Sequence, residues 1–545
     1  MRHTEGMAHA TRFHSLPIFK AILSGVLLTC AAFFIIGTIH WPMVGDASLM
    51  HYIVFLMERG MLPYRDIVDM NMPGSYLVEW VQMHVFGPGA MGLRLFDLAL
   101  MGTATLAMLF IAWPQDWLAG IYASVLLLLI HGRDGVDQMA ERDLTMTVLI
   151  LVGYAVLFYA MREQSRLRQP ENLHLRIEND GNSTTKFLWL VAVSGACIGV
   201  ATTLKPTAAP LEIVLLACAA AQSQKYRQPL LPLIWSGLAG FAVPLAGVFY
   251  FLIREHAVQA FWHILIGLVP YHASIGHLPA QYFFLKSIRP AFLPIFLLCI
   301  GVIATRKNQQ SRLQNTEGFA LWLGVVFGIV SLIVQGKDYP YHLLPSEAFL
   351  LLLAGLNFTA ALHHPGLQRV AGVLGLCFGS LILAPVATIG ALHYGANNQE
   401  FFSLLQRDLQ ELPVPQLSGH VQCLDTTAGC INTLYQMQIV QSTGFLYDCY
   451  LFAPNPSPIQ TALRRQFWDA IQNKPPSIFV VTNQLCVNNA SDFNKLHLWP
   501  QFEQYLNANY VLAVQRTPSA AVRWWSNPRQ PYSYRIYSRK PSVLQ

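Results

Sequence analysis

The chain has 545 residues, of which 54% are hydrophobic and only 12% are charged, and its formal net charge is +6. Soluble domains carry about 25% charged residues, so this composition excludes an ordinary soluble enzyme and indicates a polytopic membrane protein. The positive charge is divided among short segments and forms no basic block. We therefore expect no nucleic-acid partner.

Apolar runs of about 16–25 residues recur along the first part of the chain, close to the length that crosses a hydrocarbon core of about 30 Å. The first run, at residues 16–39, follows basic residues as in a signal peptide, but its length predicts a retained helix. We predict about eleven spans, at residues 17–40, 92–113, 115–131, 143–161, 187–205, 207–222, 230–252, 288–304, 317–334, 343–360 and 369–393.

Basic residues mark one side of these spans. If the N-terminus is cytoplasmic, the positive-inside rule requires the even-numbered loops to be basic. Those loops hold Arg162, Arg166, Arg168, Arg176, Lys186, Lys225, Arg227, Arg306, Lys307, Arg312 and Arg369. The first loop, the loops at 131–142, 253–287 and 335–342, and the residues after 394 are then predicted to lie outside. We expect an integral protein of a bacterial inner membrane, in contact with membrane lipid.

The last part of the chain changes character. Apolar runs become short in CINTLYQMQIV, SIFVVTN, YVLAVQR and YSYRIYSR, and helix-like stretches, PIQTALRRQFWDAIQN and FNKLHLWPQFEQYLN, lie between them. Strands that alternate with helices predict a small α/β domain. The predicted fold class is therefore an α-helical polytopic membrane domain at residues 1–393, followed by a soluble α/β domain at 394–545 outside the cytoplasm, in the periplasm.

Four of the nine cysteines lie in this tail domain. An even number in an oxidising compartment predicts two disulfides, and three pairings are open. A zinc site is disfavoured because the four form no CxxC pair. The disulfide candidates are Cys423, Cys430, Cys449 and Cys486.

Charged residues stand at helix ends in four loops on the predicted outer side. The first loop, residues 45–74, holds Asp46, Tyr64, Arg65, Asp66 and Asp69; later loops hold Glu141, Arg142, Asp143, Lys205, Lys337, Asp338 and His342. Carboxylates can accept a proton from an attacking hydroxyl, and cations can hold a phosphate that leaves. This pattern therefore predicts a reaction that moves a sugar from a lipid phosphate at one membrane surface.

Each of these residues also has a structural interpretation. Asp46 could be the N-cap of the helix ASLMHYIVFLMERG. Arg65 and Asp66 could form a local ion pair, and residues 141–143 could be the charged start of a helix. Lys205 could extend its side chain to the membrane–water interface. The His-rich loop at 253–287 fits no firm metal motif and is interpreted as a lid or interfacial helix.

The first loop resembles that of the C-type glycosyltransferases, the superfold of protein O-mannosyltransferases and lipid A aminoarabinose transferases. An apolar span is followed by GD, by a helix that ends in G-x-x-PYRD, and by MPG; the later QGKDYPYHLLP also resembles a loop of bacterial members. The resemblance implies an inverting transferase with a polyprenyl-phosphate sugar donor. The acceptor class, whether protein, lipid or glycan, stays open.

The resemblance also implies roles for residues. Asp46 matches the first-loop aspartate, which acts as general base or helps to hold a divalent metal cation, and Glu141 or Asp143 would match a second acidic position. Donor phosphate candidates are Arg142, Lys205, Lys337 and His342. The resemblance further implies that four residues of the first loop support the site around Asp46: Tyr64, Arg65, Asp66 and Asp69. Ala47 is a departure, since protein mannosyltransferases carry Glu after the aspartate.

Two other functions were weighed. A transporter or flippase places ionisable groups near the membrane midplane, whereas the middles of these spans are nearly uncharged. A non-catalytic envelope-assembly protein would tolerate replacement of the outer-loop charges. The clustering of charge at one surface favours the transferase.

Overall fold

The computed structural model describes residues 15–167, 173–226, 229–286, 293–304, 315–337, 339–393, 399–426, 429–484, 493–518 and 532–541. Within these ranges the chain is mainly helical up to Leu392 and mixed α/β after it. Residues 394–398 lie outside the described ranges, so the predicted domain boundary at residues 393 and 394 stays a prediction.

Helices lie at all eleven predicted spans. Among the described residues, nine helical segments are long and apolar enough to cross a membrane: Leu16–Thr38, Ala90–Ala112, Arg142–Leu167, Ser183–Leu204, Pro206–Lys225, Leu230–Arg254, Thr316–Gln335, Pro340–Ala361 and Leu367–Leu392. The other two positions hold Trp117–Asp134 and the shorter Leu293–Ala304. The predicted polytopic helical membrane protein is confirmed.

The helices are labelled in chain order. In the membrane part they are α1 Ser15–Thr38, α2 Asp46–Met57, α3 Pro73–Val85, α4 Ala90–Ala112, α5 Trp117–Asp134, α6 Arg142–Leu167, α7 Leu173–Leu204, α8 Pro210–Lys225, α9 Leu230–Arg254, α10 Val258–His263, α11 Val269–Ser274, α12 Ala280–Lys286, α13 Leu293–Ala304, α14 Asn315–Gln335, α15 Leu344–Ala361, α16 Leu367–Cys377 and α17 Ala384–Leu392.

Burial separates central helices from peripheral ones. The span that contains α15 is 94% buried inside the protein, and α6 is 78% buried. Helix α9 is only 11% buried although it is strongly apolar, so most of its surface faces lipid. The core of the bundle is therefore built around α5, α6 and α15, and α9 lies at its edge.

Several helices begin or end at one end of the bundle, which we call the polar face. It comprises the N-termini of α2, α3 and α6, the C-termini of α7 and α14, and the residues beside them. The chain breaks between α7 and α8 at Pro206, where Pro206–Ala208 forms a 3-10 turn. The segment predicted as a lid or interfacial helix forms the short helices α10, α11 and α12.

The tail contains helices α18 Gln399–Glu411, α19 Gly429–Gln436, α20 Cys449–Phe452, α21 Pro458–Asn473 and α22 Pro500–Asn509, and strands β1 Val421–Leu424, β2 Ile478–Thr482, β3 Tyr510–Arg516 and β4 Tyr534–Arg539. The sheet order is β1-β2-β4-β3. Strands β1 and β2 are parallel, with Val421 opposite Ile478, and β4 runs antiparallel to both β2 and β3. The predicted α/β tail is confirmed.

One predicted strand is wrong. The run CINTLYQMQIV provides helix α19, and the first strand is instead Val421–Leu424. Ile431, Leu434 and Tyr435 have the i, i+3, i+4 spacing of one helical face, and all three are buried. Helix α19 packs against α2 of the first loop and α18 of the tail, so most of its apolar contacts are with helices and few are with the sheet.

Two cysteines of the tail form a disulfide between Cys423 on β1 and Cys430 on α19. Cys449 is buried in α20. Cys486, the fourth candidate, lies outside the described residues. Cys449 is also disulfide-bonded, and the cysteine that pairs with it stays a prediction.

The tail domain packs directly on the first loop. The Tyr52 hydroxyl of α2 donates to the carbonyl of Ile439 at 2.9 Å, and the Asn432 amide donates to the carbonyl of Met43 at 2.8 Å. The backbone N–H of Val68 donates to the carbonyl of Gly444 at 2.9 Å. These contacts join the tail to the loop that carries the candidate catalytic aspartate.

Candidate active site

Asp46 is the first residue of α2. Gly45 precedes it with φ of 61° and ψ of −139°, a left-handed region that glycine enters without the strain of a Cβ. Gly45, and not Asp46, is the N-cap, so the Asp46 carboxylate is directed to a different partner. Its side chain is 45% exposed, whereas that of Glu141 is 4% exposed.

Arg142 is that partner. Its Nη2 atom donates to Oδ2 of Asp46 at 2.5 Å and lies 3.4 Å from Oε2 of Glu141. Asp46 and Arg142 are 96 residues apart, so the fold joins two of the predicted loops. Both contacts use the Nη2 nitrogen. Because an arginine carries five N–H donors, the donors on its other nitrogens are not used by these two contacts.

Glu141 is almost fully buried beside this pair, with a 4% exposed side chain. Burial raises the pKa of Glu141 to about 8, the positive Arg142 opposes this shift, and the negative Asp46 adds to it. Below that pH the neutral carboxyl is the main form, so Glu141 can donate a hydrogen bond. Asp46 and Glu141 therefore differ in charge and in access to solvent.

A second ion pair lies next to the first. The Lys205 ammonium lies 2.5 Å from Oδ2 of Asp143, which is fully buried, and donates to the Gln335 side chain at 2.6 Å. It also lies 5.7 Å from the centre of the Tyr341 ring. Asp143 near the start of α6, Lys205 just after α7 and Gln335 at the end of α14 thus meet here, and the roles predicted for Asp143 and Lys205 stay predictions.

Lys337 and His342 belong to the same face, but their side chains contact backbone carbonyl groups. The Lys337 ammonium donates to the carbonyls of His272 and Ile275 at 2.8 and 2.6 Å, and it is only 8% exposed. Burial lowers the pKa of Lys337 to about 8. His342 Nδ1 lies 3.3 Å from the carbonyl of Lys337. In this arrangement Lys337 holds the segment around α11 onto the polar face. Asp338 lies outside the described residues.

The four support residues of the first loop form local contacts. The Tyr76 hydroxyl donates to Asp69 at 2.5 Å, and the Tyr64 hydroxyl donates to the carbonyl of Asn71 at 2.6 Å. Arg65 and Asp66 form the predicted ion pair at 2.7 Å, at the surface. Arg65 and Asp66 therefore lie away from the Asp46 carboxylate, while Asp69 orders the turn before α3.

Sequence reasoning missed part of the cleft in which Asp46 lies. This cleft encloses a cavity of about 20 Å³, which is room for about one water molecule. Its polar lining consists of Asp46, Ser75, Glu79, Glu141, Arg142 and Thr145. Ser75 and Glu79 are on α3, a helix that we did not predict. The sequence signal that could have identified this part of the site is the carboxylate of Glu79, shortly after the MPG motif at residues 72–74.

A buried network behind the cleft was also missed. Asp97 on α4 accepts from Arg94 at 2.5 Å, from His131 at 2.9 Å and from the backbone N–H of Ala140 at 2.8 Å. Ala140 has φ of 50°, which is uncommon for a residue with a Cβ. Ala140 immediately precedes Glu141, so this network holds the turn that positions Glu141 and its neighbour in the cleft.

The tail domain adds aromatic side chains near Asp46. The Tyr450 ring lies 5.3 Å from that of Tyr447 and 5.9 Å from that of His272. Burial raises the pKa of Tyr450 well above its ordinary value, and the negative charges of Asp69 and Asp46 add to this shift. Burial and the positive Lys337 lower the pKa of His272 to about 3, so its imidazole is neutral at physiological pH.

An apolar groove of about 380 Å³ lies on the other side of the start of α3. Its lining includes Met72, Pro73, Ala246, Phe249, Leu252 and Phe261. Pro73 lines the groove and Ser75 lines the cleft, so a single turn of α3 separates them. The groove is built mainly from α9, the helix that faces lipid.

A metal site is not evident in the part of the chain that the structure describes. No group of three His, Cys, Asp or Glu side chains there is arranged to hold a metal ion. The Asp46 carboxylate contacts a guanidinium instead of a second carboxylate. The predicted divalent metal stays a prediction, and no step below depends on it.

Comparison with known proteins identifies the fold. By sequence, no protein-family model and no curated protein matches the chain. By structure, it is similar to ArnT from Cupriavidus metallidurans in the apo state, with a TM-score of 0.59, 10% identity, and coverage of 95% of this chain and 98% of that one. ArnT bound to undecaprenyl phosphate gives 0.56 at 11% identity, with the same coverage.

A second kind of enzyme has a similar structure. The Archaeoglobus fulgidus oligosaccharyltransferase in the apo form gives a TM-score of 0.50 at 11% identity, with coverage of 93% of this chain and 75% of that one. Identities this low carry information about fold alone. The chain therefore has the fold of the C-type membrane glycosyltransferases, as its first-loop motif predicted.

Proposed function

We propose that this protein is an inverting glycosyltransferase that moves a hexose or pentose from a polyprenyl phosphate to an acceptor hydroxyl. The observation that carries the proposal is the pairing of Asp46 with Arg142 in a cleft at the polar face. On this proposal Asp46 is the base for the acceptor and Arg142 is the cation for the departing phosphate. The fold supports it, since ArnT, a protein of similar structure, has been captured with undecaprenyl phosphate.

The proposed reaction is a single displacement. The acceptor oxygen attacks C1 of the sugar, and its proton passes to the Asp46 carboxylate as the new bond forms. The bond between C1 and the phosphate oxygen breaks, and polyprenyl phosphate leaves from the opposite face with its electron pair. Attack from the face opposite the leaving group inverts the configuration at C1.

Cations near Asp46 would stabilise the charge that develops on the phosphate. Arg142 can turn unused N–H donors to the phosphate while it keeps its contact with Asp46. Lys205 is a second candidate, since its side chain is 18% exposed and lies near Tyr341 at the same face. Neutral Glu141 would donate a hydrogen bond to the same phosphate or to the sugar.

The apolar groove beside α3 supports a lipid donor. Its walls are apolar and it adjoins α9, so an isoprenoid chain could enter from the membrane without crossing water. The turn of α3 that separates groove and cleft would then lie at the junction of lipid and phosphate. On this proposal the polar face and the tail domain are periplasmic, in a bacterial inner membrane.

The experiment uses purified protein in nanodiscs with radiolabelled undecaprenyl-phosphate hexoses and pentoses, and follows release of undecaprenyl phosphate. We expect turnover in the wild type and a kcat about 10–100-fold lower in Arg142→Lys, because lysine lacks the planar fork of donors. Arg162→Lys is the matched control, since Arg162 pairs with Glu317 near the other end of the same helix. If no donor releases undecaprenyl phosphate, the proposed function is contradicted. If Arg142→Lys has the kcat of the wild type, the proposed role of Arg142 is contradicted.

A further inference from the structure

We infer that the acceptor is a neutral sugar with adjacent hydroxyl groups, and that Ser75 and Glu79 bind the hydroxyl next to the attacking one. This inference rests on the proposed function and names its second substrate. It starts from α3, whose first two turns present Ser75 and Glu79, four residues apart, to the cleft that contains Asp46.

The Ser75 hydroxyl group is buried and, among the described residues, unpaired. It is 3% exposed, it lines the cleft, and its Oγ atom has no hydrogen-bond partner in the described part of the protein. A buried hydroxyl without a partner costs free energy, and one that lines a cleft can recover it by binding water or a ligand there. In this position Ser75 can donate to, or accept from, a group in the cleft.

Glu79 supplies an acceptor one turn further along. Its side chain is 10% exposed, and one carboxylate oxygen contacts Nδ1 of His51, which is fully buried. His51 Nδ1 also lies 3.2 Å from the carbonyl of Ala47, so this nitrogen carries the proton. The Glu79 oxygen in this contact, Oε1, has no hydrogen-bond partner in the described part of the protein, so it can accept a hydrogen bond from a group in the cleft.

The charge of the cleft argues against a phosphorylated acceptor group. Three carboxyl groups, of Asp46, Glu79 and Glu141, line it, and its arginine is already paired with Asp46. A phosphate on the acceptor would compete with the donor phosphate for that arginine and face like charges on the α3 side. Neutral hydroxyls meet no such repulsion, and carboxylates accept hydrogen bonds from them.

The polar lining of the cleft favours a sugar over an isolated hydroxyl, because Ser75 and Glu79 line it in addition to Asp46. The attacking hydroxyl donates to Asp46, while a neighbouring hydroxyl donates to Glu79 and accepts from Ser75. A serine or threonine side chain of a protein carries a single hydroxyl and would leave Ser75 and Glu79 without partners. A cavity of about 20 Å³ has room for about one water molecule, so it admits the neighbouring hydroxyl while the sugar ring stays outside, beside the partly exposed Asp46 carboxylate.

The test measures transfer from radiolabelled undecaprenyl-phosphate hexose to three acceptor sets: neutral octyl glycosides with their monodeoxy analogues, octyl glycosides with a phosphate ester, and a Ser/Thr peptide. We expect transfer to the neutral glycosides, with acceptor KM about 10-fold higher when the adjacent hydroxyl is removed. Ser75→Ala and Glu79→Gln should raise acceptor KM about 10-fold and leave donor KM unchanged. Both variants should also lose the preference for the intact glycoside over its deoxy analogue.

Ser48→Ala is the matched control. Ser48 is also fully buried with an unpartnered Oγ atom, but it does not line the cleft, so its acceptor KM should equal that of the wild type. Preferred transfer to phosphate or peptide acceptors overturns the inference, and so does a Ser75→Ala enzyme with wild-type acceptor KM. Loss of all donor turnover, with hydrolysis also absent, would instead contradict the proposed function.

Discussion

Replacement of Asp97 by alanine tests whether the buried network behind the cleft sets the active-site geometry. Asp97 and Arg94 are fully buried, His131 is 1% exposed, and one Asp97 oxygen accepts from both His131 and the N–H of Ala140. Removal of the carboxylate leaves the Arg94 guanidinium buried without its counter-charge. It also releases Ala140 from the hydrogen bond that holds its left-handed conformation.

The expected loss of stability is about 3–5 kcal/mol, the range for one partner removed from a buried ion pair. For a cooperative unit of about 150–250 residues, each kcal/mol lowers Tm by about 2–4 °C, so Tm should fall by about 6–20 °C. Turnover should fall by about 10–100-fold even below Tm, because a shift of about 1 Å in Arg142 misaligns it with Asp46. Thermal unfolding in detergent and donor turnover at low temperature measure the two effects.

Asp116→Ala is the control. Asp116 is buried, pairs with Lys20 and caps α5 through the N–H of Leu118, but it lies at the opposite end of the spans. Loss of the cap and of a pair whose side chains are 15% and 4% exposed should also lower Tm, but turnover below Tm should not change. If folded Asp97→Ala turns over as fast as the wild type, the position of the Glu141 loop does not depend on Asp97, and the reasoning is refuted.

Three further predictions concern other parts of the site. Because burial holds the pKa of Glu141 at about 8, wild-type turnover should decline as the pH rises through that value, whereas a Glu141→Gln enzyme should show no such decline. A Cβ on Gly444 would overlap the carbonyl oxygen of Asp66, so Gly444→Ala should lower stability by about 1–3 kcal/mol in thermal unfolding. Ala246→Trp, in the exposed wall of the apolar groove, should raise donor KM about 10-fold at unchanged Tm.

Each of these changes has a control in the same chain. Glu58→Gln, at the exposed end of α2, should keep the wild-type pH profile. Gly25→Ala should leave stability unchanged, because nothing lies within 4 Å of its new methyl group. Val243→Trp faces lipid outside the groove and should leave donor KM unchanged. Equal effects of a variant and its control contradict the corresponding prediction.

Hydropathy predicted most of the fold because each span is a local property of about twenty residues. The helix of the first loop and three of the four tail strands were likewise visible in local patterns, as in SIFVVTN for Ile478–Thr482. The first tail strand was misplaced because the burial of Ile431 and Leu434 depends on α2, which precedes them by about 380 residues. A short apolar run does not reveal which surface will cover it.

The sequence predicted which residues belong to the candidate site, but it did not predict which of them form ion pairs with each other. Charges at helix ends located Asp46, Arg142 and Lys205, yet nothing in the sequence pairs Asp46 with Arg142 and Lys205 with Asp143. Glu79 was overlooked because one carboxylate within an apolar helix carries no pattern of its own. The packing of the tail domain on the first loop depends on side chains distant in sequence.

The most direct test of the central claim compares wild type with Asp46→Asn for release of sugar from a radiolabelled polyprenyl-phosphate hexose. Asn keeps the size of the side chain but cannot accept the acceptor proton, so we expect donor turnover in the wild type and a loss of about 100-fold or more in folded Asp46→Asn. Asp469→Asn, on the exposed surface of the tail helix Pro458–Asn473, should match the wild type. Wild-type turnover in Asp46→Asn would contradict the assignment of Asp46 as the base of the proposed transfer reaction.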